Sequence, residues 1–93
     1  MTPSSEQRRR MDEYLGRVQA LVIEQDWLSP EQLHDVWHLV DHGEPALGLQ
    51  QLAWIIATTG QRVPKHVITD IRRYTEGLVD PTDLPPNLDS YAT

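Results

Sequence analysis

Between Pro45 and Ile56 the chain reads PALGLQQLAWII, a stretch whose apolar side chains fall at nearly every phase of a helix. At about 100° per residue, Leu49, Leu52, Ala53 and Ile56 mark one stripe, whereas Leu47, Trp54 and Ile55 point elsewhere. Gln50 and Gln51 are its main polar groups. A helix of this kind is stable in water only when neighbours cover several of its sides, so we expect it at the centre of the domain. With 93 residues there is chain for one core and no more. The other elements must therefore be the ones that surround it.

WLSPEQLHDVWHLV, residues 27 to 40, carries the clearest helix start. Ser29 suits the N-cap, Pro30 the first helical position, and Gln32 the third residue of a capping box. Leu28 and Leu33 have the spacing of a hydrophobic staple. Leu33, Val36, Trp37 and Val40 then predict one buried face, and Gly43 predicts the stop in a left-handed conformation. Upstream, Met11, Leu15, Val18 and Val22, widened by Leu21, predict a first helix over residues 6 to 25. Pro45 opens the central helix and Gly60 ends it. Pro64 opens a fourth in which Ile68, Ile71, Thr75 and Leu78 share a side, with Gly77 and Pro81 closing it.

Residues 80 to 93, DPTDLPPNLDSYAT, contain three prolines and cannot form a regular helix, though Leu84, Leu88 and Tyr91 are placed to fold back onto the body. No repeat and no alternating strand pattern accompanies them. The expected architecture is all-α: a four-helix domain over residues 1–79 followed by a proline-rich extended tail over 80–93.

The net charge of −6 is distributed unevenly. Residues 1 to 10 hold three Arg and Glu6, whereas residues 11 to 50 hold eight acidic side chains and only Arg17. An acidic middle disfavours nucleic acid and suits a basic partner. QQLAWIIATTGQRVPKHVITDIRR, residues 50 to 73, superficially resembles a DNA-reading helix-turn-helix, but Gly60 follows Ala53 by seven positions where about four are typical. Zero cysteines remove disulfides and thiolate metal sites, which fits a reducing cytosol. Arg8, Arg9 and Arg10 are followed by MDEYLGRV rather than an unbroken apolar stretch, and no window approaches the roughly 18 apolar residues of a membrane span. We therefore expect a cytoplasmic chain without a membrane contact.

His34, His38 and His42 recur one turn apart on the second helix, about 100 to 180° away from its apolar stripe and beside Glu31 and Asp35. A metal site there needs further ligands from elsewhere, and a zinc-protease helix has Glu directly after the first His, where this chain has Asp35. No serine sits in a glycine elbow, Ser29 is accounted for by capping, and the paired carboxylates lack an apolar pocket to raise a pKa. The phases therefore predict a partner-facing surface of Glu31, His34, Asp35, His38, Asp41, His42 and Glu44, with no catalytic group, metal or cofactor. Gly43-Glu44-Pro45 reads first as a tight bend into the central helix, with Glu44 adding negative charge at that helix's N-terminus.

The segment Gly43-Glu44-Pro45-Ala46-Leu47-Gly48-Leu49-Gln50-Gln51-Leu52 resembles the MafI-type immunity proteins of bacterial polymorphic toxin systems, which are small, mostly helical and usually acidic. The match lies at Gly43, Glu44, Leu49 and Leu52, and RVPKHVITDIRR resembles the closing helix of that family. The chain departs from the pattern at Gly48, where Ala is usual, and at Gln50, where Glu is usual. The resemblance spans about residues 30 to 78. It implies an antidote that binds a cognate protein toxin, often a nuclease with a basic cleft, and performs no chemistry of its own. The competing expectation is a small helical adaptor that self-associates as a homo-oligomer without a toxin.

Overall fold

The computed structural model describes residues 4–93. Four helices follow one another: α1 (Ser5–Glu24), α2 (Pro30–Asp41), α3 (Pro45–Thr59) and α4 (Lys65–Thr75). Two short 3-10 turns, Pro81–Asp83 and Leu88–Tyr91, complete the chain. Among the described residues there is no strand, only an isolated parallel bridge between Val63 and Ala92. The fold is all-α.

α3 occupies the centre, touching α1, α2, α4 and the second 3-10 turn. Gly48, Leu49, Leu52, Ala53, Ile55 and Ile56 are buried along it. Leu47 and Trp54 are not covered in the same way: both keep about two-fifths of their surface exposed. Trp54 instead donates its indole N–H to the Asp83 carbonyl at 2.7 Å, which satisfies its one polar atom on the tail.

The capping box at Ser29 and Gln32 is formed, each side chain bonding the other's backbone N–H at 3.1 and 2.9 Å. α2 stops where the spacing predicts. Gly43 has φ of 82°, and the Glu44 N–H reaches back to the Leu39 carbonyl at 2.9 Å, the six-to-one bond of a Schellman end. The buried face is narrower than the periodicity predicts: Val36 and Val40 are fully buried and Trp37 partly, but Leu33 is 38% exposed. α2 meets α3 through Val36 and Val40, opposite Gly48, while Glu31 and Leu33 of its first turn are exposed.

α1 differs in a similar way. Its buried residues are Val18, Leu21 and Val22, while Met11 is 63% exposed and Leu15 half-buried. Every residue from Ser4 to Glu13 is exposed, so the helix adds nothing to the core before Tyr14. Its start is held locally by a second capping box between Ser4 and Gln7. At the other end Gln25, buried to 4% exposure, donates to the Leu21 carbonyl and accepts from the Trp27 indole N–H, so its amide closes the helix. Tyr14 packs edge-on against Tyr74 and donates to the Tyr74 carbonyl at 2.6 Å; burial pushes its phenol above the ordinary range.

Leu78 leaves the α4 stripe to which its spacing assigned it. The helix ends at Thr75, and Gly77 at φ 77° turns the chain so that Val79 enters the core while Leu78 is 64% exposed. The tail then returns to the body. Leu84 and Leu88 join the same apolar cluster as the helices, the Val63 N–H donates to Tyr91, and the Thr93 N–H donates to Val63. Arg72 grips Asp89 through two bonds of 3.0 and 3.1 Å, and Arg62 donates to the Ser90 carbonyl. The proline-rich segment is therefore not extended throughout, and its apolar side chains share one core with residues 4–79.

Candidate functional site: the outer face of the second helix

The α2 contact with α3 decides what α2 shows to solvent. With Val36 and Val40 turned inward, Glu31, His34, Asp35 and His38 lie on the outward side, and Asp41, His42 and Glu44 continue into the turn; all seven are exposed. The three imidazoles form a ladder. His38 and His42 have ring centroids 4.1 Å apart at 36°, and His34 and His38 are 6.2 Å apart at 32°. The Nδ1 of His42 lies 2.7 Å from the His38 carbonyl, an acceptor only, so that nitrogen carries the proton and donates. No group of three or more His, Cys, Asp or Glu among the described residues is arranged to hold a metal ion.

The carboxylates of this face are free to meet a partner. None of the ion pairs among the described residues involves Glu31, Asp35, Asp41 or Glu44; they join Arg9 to Glu13, Arg10 to Glu6, His66 to Glu24 and Arg72 to Asp89. Glu44 is the N-cap residue of α3, yet its side chain makes no capping hydrogen bond. Its charge sits near the helix N-terminus without being consumed there.

Periodicity alone did not reveal what borders the row. Ile23, which is 66% exposed, Pro30, Leu33 and Trp37 line an open, almost wholly apolar groove of about 430 Å³ together with His34. A smaller notch lined by Glu31 and Asp35 shares Pro30 and His34 with it. An acidic strip and an apolar strip thus run side by side. The signal was present in the positions of Ile23, outside the α1 stripe, and of Leu33, at the edge of the α2 stripe. Asp41 and Glu44 belong to different surroundings: they line a second groove between α1 and the α2–α3 turn. The structure therefore groups Glu31, His34 and Asp35 at one opening and Asp41 and Glu44 at another, with His38 and His42 lining neither.

No protein-family model matches the chain. No curated protein and no solved structure matches it either. No helix is long and apolar enough to cross a membrane among the described residues.

Proposed function

We propose that the chain is a cytoplasmic immunity protein of the MafI type, which neutralises a cognate protein toxin by binding it through the outer face of α2. The observation that carries this reading is the strip of unpaired carboxylates, Glu31 and Asp35, running beside the apolar groove of Ile23, Leu33 and Trp37. The two strips divide the task physically. Exposed negative charge accelerates encounter with a basic surface and rejects acidic ones, whereas burial of apolar side chains slows dissociation. A nuclease toxin has a cleft built for phosphate, and carboxylates on a rigid helix present negative charge to the same donors. The inhibitor needs only to occupy that cleft; no bond is made or broken.

Co-expression tests the reading. Cells producing the toxic domain encoded in a neighbouring reading frame are expected to survive when this chain is present and to die when it is absent. Equal killing in both cases would remove the immunity reading for that pair and leave the self-associating adaptor as the better account.

A further inference from the structure

The second groove lies apart from the apolar strip of α2 and has a volume of about 510 Å³. Its apolar surface includes Met11, Leu15, Leu47 and Leu78, of which all but Leu15 are exposed. Asp12, Asp41 and Glu44 stand at the same opening. The complement of such a surface is a helix that carries an apolar side chain beside several cations. This chain displays one. The first half of α1 reads Ser-Glu-Gln-Arg-Arg-Arg-Met, with Arg8, Arg9, Arg10 and Met11 all exposed.

That half of α1 has little to hold it on its own. Before Tyr14 it buries no residue, and the side-chain supports there are the Ser4–Gln7 capping box and two ion pairs between exposed groups, Glu6 with Arg10 at 2.7 Å and Arg9 with Glu13 at 4.0 Å. Such pairs add little, and short helices without tertiary packing are marginal in water.

The geometry points to self-association: the N-terminal half of α1 from one copy of this chain lies in the groove between α1 and the α2–α3 turn of a second copy. Its Met11 covers Leu47 and Leu78, and its arginines face Asp12, Asp41 and Glu44. Because Met11 and Asp12 belong to the arm and to the groove at once, the contact is self-complementary and closes as a two-fold dimer. Glu31 and Asp35, which carry the toxin reading, line a different opening, so this inference does not rest on that reading.

Sedimentation of the full chain from about 1 to about 500 µM tests it, at about 50 and about 500 mM salt. The expected result is twice the monomer mass at high concentration, with weaker association at high salt. Met11→Glu and Leu78→Glu, both at exposed positions, should be monomeric with unchanged helicity. Arg8→Glu and Asp41→Arg should each weaken association about tenfold, and mixing these two variants should restore it, since every arm then meets a groove of opposite charge. A chain that stays monomeric throughout, or a dimer indifferent to both glutamate substitutions, overturns the inference. So does a monomer whose groove is filled only when a toxic domain is added, because the surface would then belong to that partner.

Discussion

Truncating Leu52 or Ile56 to Ala is expected to remove about 2–5 kcal/mol of folding free energy, a large part of the roughly 5–15 kcal/mol that holds a small domain together. Both side chains are fully buried on α3, which α1, α2, α4 and the second 3-10 turn all touch. The cavity left by either change is walled by neighbours that are themselves constrained, so little collapse can offset it. Urea melts should show midpoints displaced well below wild type with little change in slope. His34→Ala and His38→Ala should stay within about 0.5 kcal/mol in the same assay, because both rings lie on the exposed face. If the histidine variants melted as early as the core variants, the packing described for α2 would be wrong.

Gly48→Ala should also destabilise the protein, although Ala is the better helix former by about 1 kcal/mol. A Cβ at this position would sit 2.6 Å from Cγ2 of Val40 and 3.2 Å from the Val36 carbonyl oxygen. Neither neighbour can yield easily. Val has essentially one comfortable rotamer in a helix, and the carbonyl is part of the α2 backbone. Overpacking of this kind costs about 1–3 kcal/mol, enough to offset the gain in propensity. The diagnostic result is a double-mutant cycle: Val40→Ala removes the obstructing methyl, so the two changes together should cost less than their sum by about 0.5–3 kcal/mol. Additive losses would mean that α2 and α3 do not meet at this point.

The helices were legible because their ends are written in local chemistry. Ser29, Gln32, Gly43 and Gly60 act on backbone groups within a few residues of themselves, so the order of the sequence is enough to read them. Side-chain exposure at helix ends was less legible. Met11, Leu33 and Leu78 each have the right spacing for a buried stripe, yet periodicity records only direction around an axis. It does not say how far along the axis a neighbour extends. α1 outruns the core at its start, α2 leaves Leu33 exposed in its first turn, and Gly77 ends the α4 stripe one turn early. Those three departures have a common result: they place apolar groups at the surface, and both grooves are built from them. The outward direction of the histidine row was legible in the phases of α2. Its division from Asp41 and Glu44 was not, because it depends on where α1 and Leu78 lie in space. The return of the tail rests on pairs distant in sequence, such as Trp54 with Asp83 and Arg72 with Asp89, which no local pattern announces.

The most direct measurement of the proposed role is the rate at which the toxic domain associates with wild-type chain and with the Glu31→Lys/Asp35→Lys double variant, at low and high salt. If the outer face of α2 is the binding surface, the variant should associate on the order of tenfold more slowly at low salt, the gap should narrow as salt rises, and helicity should be unchanged. Equal rates and equal affinities for the two proteins at low salt would contradict it.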